Sequence, residues 1–372
     1  MSVTAGLSVT SLSKSFKDLQ VLDKVTFDVP KSETLVLFGP SGAGKTVLLR
    51  CIAGAVDADS GTVQIDGDDV TQVPPESRGV GMAFQNFALF PHMNAFENIA
   101  SPLRAQRQPR LSLAETVDSV ARLLKIDHVL DHAPRELSNG QKQRTALARA
   151  LAAEPGLLLL DDPLRNVDAK LRFEMRLELP RLLADRQATV VYVTQDYKEA
   201  MALGDRIAVL DQGRIVQIGS AAAIYRRPAN ITIAKLFGDP VINLLEVVPE
   251  REKQAISVQV SNQQIMLPHA ADDVIGRPCM LGIRPEDIAI TAPDVPAAVP
   301  VSIEAETPLN EKIVSLAITQ RGRELLASRP ADVASPSAGA AGFLFNGDGV
   351  MLFDRESERR IDMQSDSGKK TA

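Results

Sequence analysis

Long apolar runs, cysteines and excess basic charge are all scarce in this sequence. No stretch approaches the roughly 20 consecutive apolar residues of a membrane-spanning helix. The two cysteines, Cys51 and Cys279, lie far apart and form neither a disulfide framework nor a metal-binding motif. The net charge of −6 argues against a nucleic-acid-binding protein, since phosphate backbones require a basic surface. The first residues lack a basic start followed by an apolar run, so we expect no secretory signal and a reduced, cytosolic, soluble protein.

The length of 372 residues predicts about two domains. In the first two thirds, short apolar runs alternate with helical or turn segments, which predicts a largely parallel sheet covered by helices. The runs that we read as strands are residues 35–38, 81–84, 157–160 and 190–193. Helical patterns at 111–124 and 140–151 predict a helical insertion at about 88–155. From about residue 238, short runs such as 255–260 and 280–283 predict a small β-barrel or sandwich.

A glycine-rich segment, GPSGAGKT, follows the first of these strands and precedes a helical run. Its glycines let main-chain N–H groups close around phosphate oxygens, and the following helix directs its positive end at the same charge. Lys45 would reach the β- and γ-phosphates, and Thr46 would offer a hydroxyl to Mg²⁺. A ligand-free turn is disfavoured because strand, spacing and helix occur together. The predicted nucleotide-binding residues are Gly39, Pro40, Ser41, Gly42, Ala43, Gly44, Lys45 and Thr46.

Asp161 ends the apolar run that begins at residue 156. A carboxylate at the tip of a buried strand is costly unless it meets a cation or hydrogen-bond donors. Beside a phosphate-binding loop, its natural partner is hydrated Mg²⁺. The alternative, an aspartate that caps the next turn, becomes improbable once that loop is present.

Residues 137–151, LSNGQKQRTALARAL, resemble the signature of ABC ATPases. With the glycine-rich loop, Gln85 and the strand that ends at Asp161, this order identifies the ABC superfamily. The later strings RRPAN, FGDPVINLLE and LGIRPEDI resemble the maltose-type importer ATPases, which carry a C-terminal OB-like (TOBE) regulatory domain. The resemblance implies an α/β P-loop ABC ATPase core with a helical subdomain, followed by a β-rich OB-like domain. The implied boundaries are 1–237 for the first domain, 238–355 for the second and 356–372 for a disordered tail.

The same resemblance assigns roles to single residues. It places Phe16 against adenine, although Phe16 could be an ordinary strand residue. It makes Gln85 the glutamine that senses Mg²⁺ and the attacking water, and Asp168 a carboxylate that links two sites. In a head-to-tail dimer the signature closes on the γ-phosphate held by the other subunit. The signature residues concerned are Ser138, Gly140 and Gln141.

An aromatic segment that follows Gln85 has two interpretations of equal weight. It forms either a groove that receives a helix of a membrane subunit or a small core of the helical block. The residues concerned are Phe87, Phe90, Pro91 and Met93.

Two departures from the family pattern affect hydrolysis. The family has a glutamate directly after the strand-end aspartate, but here that position is Asp162, whose side chain is one methylene shorter. The family has a histidine after VYVT, but here that position is Gln195, which can neither carry a positive charge nor shuttle a proton. Asp162, Gln195 and Gln85 are therefore the catalytic candidates, with the first two weakened. The metal candidates are Thr46, Gln85 and Asp161.

Two milder departures lie at Asn139 and Arg165. Asn139 replaces the first glycine of the signature pair, and asparagine tolerates unusual dihedral angles. Arg165 stands where serine is usual. We favour a surface cation there over a residue that reaches phosphate or carboxylate across the dimer.

The resemblance implies an ATP-binding importer subunit with ATP and Mg²⁺ as cofactors, peripheral on the cytoplasmic face of the inner or plasma membrane. The implied partners are two membrane-spanning permease subunits and, indirectly, a solute-binding protein. Retained binding residues with altered hydrolytic ones predict a heterodimer with a second, distinct ATPase subunit. A homodimer of low turnover, a nucleotide-dependent scaffold, and an ABC ATPase of translation or DNA repair are the alternatives. The last is disfavoured by the maltose-type strings between residues 237 and 288.

Overall fold

The computed structural model describes residues 5–84, 86–105, 110–252, 255–261, 263–267, 272–309, 311–333 and 339–361. The chain divides into two compact units, Met1–Ala221 and Ala222–Ala372. Across the described ranges, no helix is both long enough and apolar enough to cross a membrane.

The first unit is a mixed α/β structure. Its strands are β1 (Ala5–Phe16), β2 (Leu19–Pro30), β3 (Thr34–Phe38), β4 (Ser60–Ile65), β5 (Asp68–Asp69), β6 (Val80–Ala83), β7 (Leu157–Asp161), β8 (Thr189–Thr194), β9 (Arg206–Asp211) and β10 (Arg214–Gly219). Its helices are α1 (Lys45–Ala53), α2 (Ala95–Ala105), α3 (Arg110–Leu123), α4 (Asn139–Ala152), α5 (Ala169–Asp185) and α6 (Tyr197–Leu203).

A six-stranded sheet of order β10-β9-β3-β8-β7-β6 forms the centre of this unit. All neighbouring pairs are parallel except β9 with β10. Every residue of β3, β7 and β8 is buried, as expected for parallel strands that are covered on both faces. The predicted largely parallel sheet is confirmed. Because these three strands are parallel, the segments that follow residues 38, 161 and 194 leave the same edge of the sheet.

A smaller antiparallel sheet of order β2-β1-β4-β5 packs against the same core. Leu7 and Val29 from this sheet, Leu48 from α1, and Leu35 and Leu157 from the large sheet belong to one buried cluster. The first turn of α1 is thereby fixed relative to the ends of β3 and β7. Helices α2, α3 and α4 lie in the region predicted to be a helical insertion and pack on one another.

The second unit begins with α7 (Ala221–Arg226) and α8 (Ile231–Leu236) and is otherwise β-rich. Its antiparallel sheets have the orders β11-β15-β21-β22, β12-β13-β14 and β16-β20-β17-β18-β19. The strands are β11 (Asn243–Val247), β12 (Glu250–Glu252), β13 (Ala255–Val260), β14 (Gln263–Leu267), β15 (Cys279–Ile283), β16 (Ile288–Thr291), β17 (Val299–Leu309), β18 (Lys312–Thr319), β19 (Glu324–Pro330), β20 (Ala340–Phe345), β21 (Val350–Asp354) and β22 (Arg360–Ile361). The predicted succession of an α/β core and a β-rich region is confirmed, and the second unit is consistent with an OB-like domain.

Arg284 attaches the two helices to the β-rich part of the second unit. Its buried guanidinium donates to the main-chain oxygens of Ala234 and Tyr225 at 2.9 Å each, and also to that of Phe237. It lies 4.0 Å from the centroid of the Tyr225 ring. The compact units divide between residues 221 and 222, after the first residue of α7, so almost all of both helices lies in the second unit. The domain boundary that we predicted at 237/238 stays a prediction.

The tail predicted to be disordered from residue 356 contains a short strand. In β22, Arg360 and Ile361 pair with Phe353 and Leu352 of β21, so main-chain hydrogen bonding orders this part. Residues 362–372 lie outside the described residues.

Candidate functional site

The loop at residues 39–46 joins β3 to α1 at the edge of the sheet described above. A Cβ on Gly39 would lie 2.1 Å from the main-chain oxygen of Leu210, so only glycine fits beside β9. Gly44 has a φ of 103°, and a Cβ there would lie 2.8 Å from the main-chain oxygen of Val21. These two constraints shape a loop whose main-chain N–H groups and helix start can receive phosphate.

Lys45 is buried at the start of α1, where its Nζ donates to the main-chain oxygens of Gly39 and Pro40 at 2.7 Å each. Burial lowers the pKa of its ammonium, and the carboxylates of Asp162 and Asp161 oppose that effect. The ammonium therefore lies within the phosphate-binding loop itself. Its predicted reach to the β- and γ-phosphates stays a prediction.

Asp161 ends β7 with only 2% of its surface exposed. Its Oδ1 accepts a hydrogen bond of 3.1 Å from Thr46 Oγ1. Burial raises the pKa of the Asp161 carboxyl, and the Thr46 hydrogen bond opposes the rise. A buried carboxylate beside a hydroxyl fits a hydrated divalent cation, which would neutralise the carboxylate.

Mg²⁺ commonly binds through one or two protein oxygens together with water and substrate phosphate. Within the described ranges, no group of three or more His, Cys, Asp or Glu side chains could hold a metal. Thr46 and Asp161 fit a cation whose coordination is completed by water and a nucleotide.

Asp162 follows in a turn with a φ of 50°. Its N–H donates to the main-chain oxygen of Val193 at 2.9 Å. Its carboxylate lies 3.9 Å from the guanidinium of Arg165. Burial raises the pKa of the Asp162 carboxyl, which the charge of Arg165 partly offsets. The group predicted to act on the attacking water therefore lies at the site, in a largely enclosed position.

The turn after β7 is held by a residue that the sequence analysis missed. Gln143, buried on α4, donates from Nε2 to the main-chain oxygen of Asp162 at 2.8 Å. Its Oε1 accepts from the N–H of Asn166 at 2.8 Å. The signal available in the sequence was a polar residue on the inner face of a helix that is otherwise rich in alanine and leucine.

These elements surround a cleft of about 250 Å³. Gln195, exposed just after β8, lines it together with the loop and the two aspartates. The full lining is Val21, Ser41, Gly42, Gly44, Lys45, Thr46, Val47, Asp161, Asp162, Arg165, Val193 and Gln195. Of the residues predicted for the loop, the metal and hydrolysis, the lining contains Ser41, Gly42, Gly44, Lys45, Thr46, Asp161, Asp162 and Gln195. Pro40 is exposed on the loop, whereas Ala43 is buried beneath it.

Other predicted residues lie outside this lining. Phe16 is 47% exposed at the end of β1, next to the turn to β2, with the Lys14 ammonium 5.4 Å from its ring centroid. An exposed ring can stack on adenine, so its assignment stays a prediction. Gln85 lies outside the described residues. Asp168 caps α5, where its Oδ1 accepts from the N–H of Leu171 at 3.0 Å, and this bond lowers the pKa of its carboxyl.

The signature residues form the N-terminus of α4. The N–H of Gln141 donates to Ser138 Oγ at 3.2 Å, and the N–H of Ser138 donates to Gln141 Oε1 at 2.8 Å. This reciprocal capping fixes the first turn of the helix. A Cβ on Gly140 would lie 3.2 Å from the main-chain oxygen of Asn166. These residues do not line the cleft of their own chain.

The aromatic segment near α2 is held by Asn98, which is fully buried. Asn98 accepts from the N–H of Phe90 at 2.8 Å and donates to the main-chain oxygens of Phe90, Met93 and Asn94. The ring of Phe90 is 43% exposed, with the Arg149 guanidinium 5.5 Å from its centroid. Pro91 is also exposed, while Phe87 and Met93 are half-buried.

A family model described as ABC transporter matches residues 22–165. The chain is 39% identical over 312 residues to the maltose/maltodextrin import ATP-binding protein of Yersinia pestis. The aligned region covers 83% of each of the two chains. It is 38% identical over 361 residues to the sn-glycerol-3-phosphate import ATP-binding protein of Salmonella typhimurium. That alignment covers 96% of this chain and 100% of the relative.

Two solved structures of dimeric ABC cassettes match part of the chain. A bacterial ABC transporter cassette matches with a TM-score of 0.55 and 28% identity, covering 58% of this chain and 98% of its own. A post-hydrolysis state bound to ADP and phosphate matches with the same TM-score of 0.55. The chain therefore belongs to the family of ABC transporter ATP-binding proteins, whose members bind and hydrolyse ATP.

Proposed function

We propose that this chain is the ATP-binding subunit of an importer for a sugar, polyol or glycerol-class solute. The names of its relatives, which are import proteins for maltodextrin and glycerol phosphate, support this class of cargo. The chain would lie at the cytoplasmic face of the membrane with two permease subunits, supplied by a solute-binding protein. Purification of the tagged chain from its own membranes should recover permeases encoded by neighbouring genes. Recovery without any permease would contradict the proposal.

At its own site the chain would bind Mg-ATP. Lys45 and the N-terminus of α1 would hold the phosphates, while Thr46 and Asp161 would hold Mg²⁺. The metal would neutralise charge on the phosphate oxygens while the terminal phosphoryl group is transferred to water. Phe16 would stack on the base, and the role proposed for Gln85, which lies outside the described residues, is to sense the metal and the attacking water. Each of these roles is independent of how fast the site turns over.

We infer that hydrolysis at this site is slow. The observation that carries the inference is that Asp162 and Gln195 line the same cleft as Lys45 and Thr46. Asp162 places its carboxylate about 1.5 Å short of a glutamate's, and misplacement by about 1 Å can lose about a hundredfold in rate. Gln195 offers a neutral amide where a histidine would offer a charge that changes with pH.

A second ATPase subunit would then carry most of the turnover. In this arrangement the capped start of α4, with Ser138, Gly140 and Gln141, closes on the ATP of the partner. The intact capping box supports a functional signature on this chain despite the slow site. The dimeric form of the solved cassettes supports a two-subunit assembly.

The decisive measurement is ATP turnover by the purified chain, alone and after mixing with the ATPase encoded beside it. We expect slow turnover alone and a large gain on mixing. A homodimer that hydrolyses ATP at the rates of its relatives would contradict both the slow site and the division between subunits. A homodimer that supports transport at low turnover would contradict the heterodimer alone.

A nucleotide-dependent scaffold is distinguished by transport with Lys45→Ala in this chain. The importer proposal expects transport to fall, because the phosphate-binding ammonium is lost. Full transport with that variant would favour the scaffold.

A further inference from the structure

Arg165 lies in the turn after β7 and its side chain lines the cleft. The side chain is 53% exposed, and its Nη1 lies 3.9 Å from Asp162 Oδ2. That separation is too long for a hydrogen bond, so the pair is an ion pair only. The guanidinium can therefore donate to another acceptor without first breaking a hydrogen bond to Asp162.

The main chain of Arg165 is anchored on both sides. Its N–H donates to the main-chain oxygen of Asp162 at 3.3 Å. Its carbonyl oxygen accepts from Arg172 Nη2 at 3.0 Å, and the same guanidinium nitrogen donates to the oxygen of Val167 at 3.0 Å. The base of the side chain is thus fixed, and the guanidinium at its end is presented to the cleft.

The charged residues that line the cleft differ in how accessible they are to a bound phosphate. Its charged lining residues, among those described, are two cations, Lys45 and Arg165, and two anions, Asp161 and Asp162. The ammonium of Lys45 is buried and donates to two main-chain oxygens. Gln195, at the position of the usual histidine, is neutral. Arg165 is the remaining lining cation that is exposed to an incoming phosphate.

We propose that Arg165 binds the terminal phosphate of ATP held by its own chain and so makes this site selective for ATP over ADP. The inference rests on the proposed nucleotide site, because it takes Asp162 to mark the terminal-phosphate end of the cleft. A guanidinium presents paired, positively charged donors that match two phosphate oxygens. The amide of Gln195 is neutral and carries no such charge.

The test is the dissociation constants of Mg-AMP-PNP and Mg-ADP, measured by titration calorimetry for the wild-type chain and for Arg165→Ser. We expect the variant to bind AMP-PNP at least about tenfold more weakly, as for the loss of a charged hydrogen bond. ADP affinity should change less than about twofold. Arg165→Lys should recover part of the loss, because it keeps the charge but not the paired donors. Arg181→Ser, on the exposed side of α5, serves as the matched control.

Equal affinity of Arg165→Ser and wild type for AMP-PNP would overturn the inference while leaving the nucleotide site intact. Equal losses for AMP-PNP and ADP would also overturn it, since they would indicate a general loss of the cleft. A wild-type chain that binds neither nucleotide would instead refute the proposed function. The selective loss of AMP-PNP affinity in Arg165→Ser should persist at protein concentrations too low for the chain to self-associate. A loss confined to the associated protein would place Arg165 on the partner's nucleotide and overturn the assignment.

Discussion

Gln143 on the signature helix hydrogen-bonds to the main-chain oxygen of Asp162, 2.8 Å away in the turn after β7. The same side chain accepts from the N–H of Asn166, and the N–H of Asp162 donates to Val193. The main chain of Asp162 is therefore fixed from both sides. A shift of the turn that compensated for a side chain one methylene shorter than glutamate would break these hydrogen bonds.

Replacement Gln143→Leu should destabilise the protein. It removes the 2.8 Å hydrogen bond to the main-chain oxygen of Asp162, which keeps only the 3.3 Å bond from the N–H of Arg165. It also removes the acceptor of the N–H of Asn166, and each lost hydrogen bond costs about 0.5–1.5 kcal/mol. We expect the free energy of unfolding, from urea denaturation, to fall by about 1–3 kcal/mol. Gln64→Leu, on an exposed strand position, is the control. A loss as small as that of the control would show that Gln143 does not hold the turn.

The double replacement Asp162→Glu with Gln195→His should raise ATP turnover. Glutamate extends the carboxylate towards the attacking water, and histidine restores a group that can carry charge. We expect a gain of about tenfold to a hundredfold in kcat, from a phosphate-release assay. Adding Lys45→Ala to the double variant should abolish the gain. An unchanged kcat would mean that these two positions do not limit hydrolysis.

Lys45→Ala should weaken Mg-ATP binding. The replacement removes the only cation buried in the loop 39–46, and loss of a charged partner should raise the dissociation constant at least about tenfold. Titration calorimetry measures the dissociation constant, and Lys170→Ala, at an exposed position of α5, is the control. Unaltered affinity would argue that the loop does not bind the phosphates.

Glu199→Gln should change how stability depends on pH. Glu199 is buried on α6 and accepts hydrogen bonds from Tyr192 and Thr194 at 2.9 Å each. Burial raises the pKa of its carboxyl above the ordinary value of 4.5. The stability from the neutral acid is therefore present below about pH 4.5 and is lost as pH rises through the higher folded pKa.

Glutamine keeps the two acceptor contacts without ionising. We expect the free energy of unfolding, from urea denaturation at roughly pH 4 to pH 8, to fall for the wild type relative to Glu199→Gln as pH rises. Glu178→Gln, exposed on α5, should follow the wild type. Parallel curves for Glu199→Gln and the wild type would contradict a raised pKa of the buried Glu199 carboxyl.

The sequence predicted the features that local chemistry determines. Four apolar runs became the strands β3, β6, β7 and β8 to within about a residue at their ends. Of these, β3, β7 and β8 are buried throughout, and such strands are continuously apolar. The glycine-rich loop and Asp161 were found because phosphate binding needs glycines and a helix start at fixed spacing. These features depend on neighbours in the chain.

The contacts that the sequence did not predict join residues far apart in the chain. Gln143 meets Asp162 across 19 positions, and Arg284 meets Tyr225 across 59. A buried polar side chain is visible in a sequence only as an interruption of an apolar face. Its partner is set by tertiary packing, which the spacing of residues does not encode. For the same reason, the division between compact units at 221/222 was not foreseen.

The buried guanidinium of Arg284 has a consequence for exchanging parts between related importers. A chimera joined near residue 221 would keep Arg284 with the oxygens of Tyr225, Ala234 and Phe237 from the same parent. A joint at residue 237 would bring together an arginine from one parent and three acceptors from another. Natural recombination and engineered swaps should therefore tolerate the earlier joint better, and the inherited module would begin with its two short helices.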